Sequence, residues 1–244
     1  MKEVVLVVGS ETLTGRKLIE KQLSLGNVVV AVIPGGNTQT NETETENLLV
    51  IEWNRLSWFS AKAVIREALI KFGRIDSAWL FYRRPESDGK LTEIPPENID
   101  SAIDMSIRGN TAMTREILNA FNYTGTFEKH GTSETENTGE TENIIKEKFF
   151  AMVMPHQSGR PSAADLSNTP MENMTEKAFR GLADSVMQDK QRKVWFCGLI
   201  STSPDAEGFV DKIISLREEL PKKLKNKWFL YNDKNSIFNK RIVK

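Results

Sequence analysis

In the stretch VVLVVGSETLTGRKL, residues 4–18, an apolar run stops at Gly9 and a helix-like pattern begins around Gly15. A glycine at a strand end lets the chain turn sharply and brings bare backbone close to an anion. The helix that follows aims its free N–H groups and positive dipole end at the same point. Gly9 and Gly15 are placed for this chemistry, and Ser10, Thr12 and Thr14 offer hydroxyl donors. The middle glycine of such loops is absent, however: Leu13, or Thr12 under the other spacing, stands there. The two glycines therefore suit a cofactor loop and a plain strand-to-helix turn equally. Arg16, one turn into the helix, can reach a phosphate or simply face water. Further along, Tyr82, Arg83 and Arg84 follow an apolar run, and paired guanidinium groups bind carboxylates and phosphates in bidentate fashion. A solvent-facing basic loop is the plainer reading of the same residues. No cluster of His, Cys and carboxylates has metal-ligand spacing, so no metal is expected.

The elements that must position these residues can be read from hydrophobic periodicity. Short runs rich in β-branched and aromatic residues lie at Val4–Val8, Val28–Ile33, Leu48–Trp53, Ala78–Tyr82, Phe149–Met154 and Val194–Ile200. Helical spacing fills Leu13–Leu23, Ala61–Phe72, Ile99–Phe121, Met171–Met187 and Phe209–Leu220. Strands that are continuously apolar are buried on both faces, and alternation with helices makes the sheet parallel. Right-handed crossovers then predict an α/β fold: a doubly wound, Rossmann-like, three-layer sandwich in a single domain spanning 1–244.

Two segments, 37–47 and 131–143, are poor in apolar residues and contain Glu-Thr-Glu-Asn once and twice respectively. They are expected to be mobile low-complexity loops. The tail, 221–244, carries Lys222, Lys223, Lys225, Lys227, Lys234, Lys240, Arg241 and Lys244 against Asp233 alone. It reads as a solvated face flanking a last strand, KWFLY, and can also meet an anionic partner.

At this point the chain resembles the short-chain dehydrogenase/reductase superfamily over nearly its whole length. The resemblance rests on the glycine-bearing first turn, "IDSAWLFY" preceded by "FGR", the helix with "MSIRGNTAMTREIL", the fifth run leading into "PHQSG", the helix "NMTEKAFRGLADSV" and the final "VWFCGLISTSP". The family implies a nicotinamide dinucleotide, NAD or NADP, and hydride exchange with a carbonyl or alcohol. It also implies a Tyr and a Lys four apart on one helix face, a serine after the fifth strand and a relay asparagine in the long helix. Here the lysine position is Lys177, but the tyrosine position holds Asn173, an amide that cannot give up a proton near neutral pH. The serine position falls at His156, with Ser158 two residues on, and the relay position at Ser106. His156, or His130 in the second low-complexity loop, is the imidazole available as a relocated acid. The second strand ends "VIPGG", without the carboxylate that would hold the adenosine ribose, while Asn54 stands where the family keeps an adenine-contacting Asp.

The resemblance thus implies cofactor binding through Gly9, Ser10, Thr12, Leu13, Gly15, Asn54 and Lys177, and no catalytic residues in the usual places. Losing a positioned general acid costs about 10²–10⁴ in rate, and several losses together disfavour ordinary dehydrogenase turnover. The expected role is a non-catalytic binding or regulatory one, with an atypical NAD(P)-dependent oxidoreductase as the alternative. The family also implies a homodimer through helices 99–121 and 171–187. Basic and acidic residues balance at 33 each, so no global charge calls for nucleic acid. The first apolar run is too short for a secretory or membrane segment, and the lone Cys197 makes no internal disulfide. A cytoplasmic location without membrane contact follows as an expectation.

Overall fold

The five residues Val4–Val8 (β1) are buried, and β1 pairs in parallel with Val28–Pro34 (β2) along one edge and Ser77–Phe81 (β4) along the other. From this central strand the sheet grows outward, β2 to Leu48–Trp53 (β3) and β4 through Lys148–Met154 (β5) and Val194–Ser201 (β6) to Lys227–Asn232 (β7). All seven run parallel, and Asn235–Asn239 (β8) closes the sheet antiparallel to β7, giving the order β3-β2-β1-β4-β5-β6-β7-β8. The computed structural model describes residues 2–35, 45–85, 90–122, 147–156, 169–189, 194–220, 225–232 and, as backbone, 235–239. The segment 131–143 and most of 37–47 lie outside these residues.

Alternate residues of each strand feed two cores. Val4, Leu6 and Val8 face the side covered by Trp58–Phe72 (α2), Gly109–Asn122 (α4) and Pro170–Gln188 (α5). Val5 and Val7 face the side covered by Leu13–Ser24 (α1) and Ala206–Glu219 (α6). On that second side Trp79, Phe149 and Trp195 form a column across β4, β5 and β6, with ring centroids 4.7 and 5.2 Å apart. The doubly wound sandwich expected from the sequence is what the chain adopts. Its strand order reverses at β1, where β2 and β4 leave in opposite directions, and such a switch point opens a crevice at the carboxyl ends of the strands.

The helices start where the sequence supplies caps. Thr12, Ser57, Thr169 and Asp205 each accept an N–H from the first turn of α1, α2, α5 and α6. The Ser57 cap starts α2 three residues before the periodicity does. The long helix expected over 99–121 is instead interrupted: Pro96–Ile103 (α3) passes through a π-turn at Asp104–Arg108 into α4. Side chains there bond back to the preceding turn, Asn110 Nδ2 to the Ser106 carbonyl at 2.5 Å and Thr111 Oγ1 to that of Ile107 at 2.7 Å. Gly109 meanwhile sits against the Arg55 backbone, where a Cβ would come 3.0 Å from the carbonyl oxygen.

One carboxylate fastens the amino edge. Asp76 accepts from the Val4 N–H at 2.9 Å, from Arg74 at 2.9 Å and from Lys148 at 3.0 Å, joining β1, β4 and β5. Burial alone would push this carboxyl up, but the Val4 N–H, Lys148 and Arg74 outweigh it and hold it below its ordinary range. The unfolded chain takes up the proton near about pH 4 and the native chain only at lower pH. The stabilisation is therefore complete above the unfolded value and is lost as pH falls through the native one. Asp76→Asn is expected to lower the urea midpoint at pH 7, with roughly 1–3 kcal/mol lost, and the gap to wild type should close toward pH 3. A gap unchanged between pH 7 and pH 3 would refute this role.

Candidate functional site

Gly9 ends β1 at φ 95°, and its N–H donates to the Val32 carbonyl of β2 at 3.2 Å. A Cβ here would lie 2.8 Å from Phe81 Cβ, so glycine is required sterically. At Gly15 a Cβ would meet the Gly9 carbonyl oxygen at 2.6 Å and Thr12 Oγ1 at 2.8 Å; the start of α1 is packed directly onto the turn. The hydroxyls in this turn are engaged within the protein. Ser10 is buried and donates to the Val32 carbonyl at 3.1 Å. Thr12 Oγ1 donates to the Gly9 carbonyl at 2.9 Å and accepts the Gly15 N–H at 3.0 Å. Leu13, the first residue of α1, is 56% exposed.

The turn also carries a charge that spacing does not reveal. Glu11 Oε1 lies 3.2 Å from Nη2 of Arg55 and 4.0 Å from Nη1 of Arg83. Arg55, immediately after Asn54, is only 8% exposed and lies 5.0 Å above the Trp53 ring. Burial pulls its pKa down, Glu11 opposes that and Arg83 adds to it, yet an arginine stays charged. Arg55 Nε and Glu11 Oε2 are buried without a hydrogen-bond partner. Asn54 itself is exposed and serves the turn into α2, its Oδ1 accepting the Leu56 N–H at 3.0 Å while its own N–H donates to Ser60 Oγ at 2.9 Å.

At the end of β4, Tyr82 is buried with its phenol 2.9 Å from Thr175 Oγ1 of α5. Arg84 Nε lies 3.2 Å from Oε2 of the buried Glu172. Helix α5 turns Met171, Glu172, Thr175, Phe179 and Ala183 inward. Asn173 and Lys177 share a face, as a spacing of four requires, but that face is exposed. Glu172, Thr175 and Phe179 are α5 residues that meet Tyr82 at the end of β4. Ser106 is buried in the π-turn. Ser158 and His130 lie outside the described residues, as do Lys222, Lys223, Lys234, Lys240, Arg241 and Lys244 of the tail.

These pieces frame a cleft of about 280 Å³ at the carboxyl edge. One wall is the start of α1 (Thr12, Leu13, Thr14), the next is Tyr82, Arg83 and Arg84, and the rest comprises Pro155, His156, Ser201, Ser203, Pro204 and Ala206. Two guanidinium groups and an imidazole line it. Each guanidinium is also backed by a carboxylate outside the lining, Arg83 by Glu11 at 4.0 Å and Arg84 by Glu172 at 3.2 Å, and such a held pair of cations suits an anion. Gly9, Ser10, Thr12, Leu13 and Gly15 are thus gathered at or beneath this cleft, while Asn54 and Lys177 are not among its lining residues. Among the described residues no three His, Cys, Asp or Glu could hold a metal ion, and no helix is long and apolar enough to cross a membrane.

No protein-family model and no curated protein matches the sequence. Solved structures do match. A 3-ketoacyl-(acyl-carrier-protein) reductase from Brucella melitensis, complexed with NADH, superposes with a TM-score of 0.68 at 16% identity, over 96% of this chain and 98% of that one. A short-chain dehydrogenase/reductase from Serratia marcescens gives 0.68 at 11% identity, over 94% and 96%. An NADH-dependent reductase responsible for alginate metabolism gives 0.66 at 10% identity, over 97% of each chain. At such identities the likeness is one of architecture. From the first strand to the last, this chain has the fold of the short-chain dehydrogenases/reductases.

Proposed function

We propose that this protein binds a compact anionic ligand in the carboxyl-edge cleft and does not carry out hydride transfer. The observation that carries this reading is the lining of the cleft: Arg83, Arg84 and His156 line it together with the start of α1, the two arginines held in place by Glu11 and Glu172. A helix start and paired guanidinium groups converging on one space favour phosphate or carboxylate groups.

A pyridine dinucleotide, which the fold suggests, fits the residues poorly. The Ser10 and Thr12 hydroxyls are committed to the turn, Leu13 projects where backbone would have to meet a pyrophosphate, and Lys177 is not among the residues lining the cleft. Of the acid–base group of the resemblance only Lys177 matches, with Asn173 in the tyrosine position. The alternative, an oxidoreductase with a relocated donor, is favoured by Tyr82, whose phenol is beside the Thr175 hydroxyl on the wall that also lines the cleft.

The two readings separate in solution. Purified protein is expected to show no NADPH or NADH oxidation above blank across a panel of carbonyl compounds. Inorganic pyrophosphate and citrate are expected to raise Tm. A ligand at a hundred times its Kd adds about 2.7 kcal/mol, roughly 5–10 °C for a chain of this size. Arg83→Gln should abolish that shift. Cofactor oxidation with any carbonyl would reject the first reading in favour of the second. No shift with any small anion would reject ligand binding in the cleft.

A further inference from the structure

We infer that the chain closes its own phosphate cradle, so that Glu11 and Leu13 exclude dinucleotides and restrict the cleft to short anions. This rests on the proposed anion site and specifies which ligands that site can take.

The cradle of this fold works because bare backbone and a helix start offer uncompensated positive potential above β1. Here a carboxylate stands in that turn. Glu11 stands between Gly9 and α1, its carboxylate fixed 3.2 Å from Arg55 and 4.0 Å from Arg83, with its side chain only 24% exposed. A pyrophosphate laid across the turn would have to lie beside this carboxylate or displace it from its two guanidinium partners. The cost of two like charges rises steeply in a partly buried setting.

Arg55 reinforces the block from the other half of the crevice. It follows β3, the side on which an adenosine would have to lie, and its buried side chain reaches back over Trp53 to Glu11. Leu13 completes it: a side chain 56% exposed at the first position of α1, lining the cleft, stands where glycine would let a diphosphate touch the backbone. Among the described residues the cleft is otherwise lined by Tyr82, Arg83, Arg84 and His156 with their neighbours, groups that suit a short anion.

The test is NADH titration, followed by nicotinamide fluorescence and calorimetry, on wild type, Leu13→Gly and the double variant Glu11→Gln/Leu13→Gly. Glutamine keeps an acceptor for Arg55 while removing the charge. Wild type is expected to show no saturation up to about 1 mM, and the double variant to bind at least about tenfold more tightly. Leu13→Gly alone should show part of the gain, and serves as the readout if the double variant does not fold. Saturation of wild type below about 100 µM, or no gain in a variant with an unchanged unfolding transition, overturns the inference. Gain of NADH binding in a protein whose wild type takes no pyrophosphate or citrate would leave the block standing and remove the proposed anion function. The two claims therefore fail separately.

Discussion

Replacing Glu3 with alanine is expected to cost about 3–5 kcal/mol, because it strands a buried guanidinium. Arg217 on α6 is 5% exposed and donates Nε–H to Glu3 Oε1 at 2.9 Å, with a second N–H on the same oxygen. Its remaining bond runs to the Glu147 carbonyl at 3.2 Å, and its plane lies 5.4 Å from the Phe149 ring centroid. Without Glu3 the charge would sit among apolar groups with one acceptor. That loss is a large fraction of the roughly 5–15 kcal/mol by which a domain is stable, and corresponds to about 6–20 °C in Tm. Removing both partners, as Glu3→Leu/Arg217→Leu, should restore much of the stability, since desolvation of the ions disappears with them. Equal losses in the single and double variants, measured by urea unfolding, would show that the pair contributes by packing alone.

Gly9→Ala is the second large effect. The added Cβ must adopt φ near 95° and lie 2.8 Å from Phe81 Cβ. Phe81 cannot retreat, being fully buried in β4 between β1 and β5. Positive φ for a residue with a Cβ costs about 1–2 kcal/mol, and overpacking a core adds about 1–3 kcal/mol, so a total of about 2–5 kcal/mol is expected. Gly26→Ala is the control: φ is 77° there, but nothing lies within 4 Å of the new methyl, so only the conformational part applies. Equal shifts in Tm for the two variants would contradict the steric account of the first turn.

The strands were legible because burial on both faces leaves uninterrupted apolar runs, and Val4–Val8 is the plainest of them. β8 was not: its sequence NSIFN is short and half polar, and only pairing with β7 makes it a strand. The interruption of the long helix escaped periodicity because Ser106, Asn110 and Thr111 reshape the ladder through side-chain and backbone contacts rather than through apolar spacing. At the site, Gly9 and Gly15 were readable because local sterics dictate them. Glu11 and Arg55 were not, since their pairing spans 44 residues and exists only once β1 and β3 are assembled. For α5, spacing showed that Asn173 and Lys177 share a face. Which face turns inward was decided by Thr175 and Phe179 packing toward Tyr82.

The aromatic column beneath the sheet gives the molecule an optical signature of its own. The indoles of Trp79 and Trp195 flank the Phe149 ring, are almost completely shielded and have no hydrogen-bond partner at Nε1. Their emission will be blue in the native state and move red when strands β4 to β6 separate, a component that adds to the emission of the other three tryptophans.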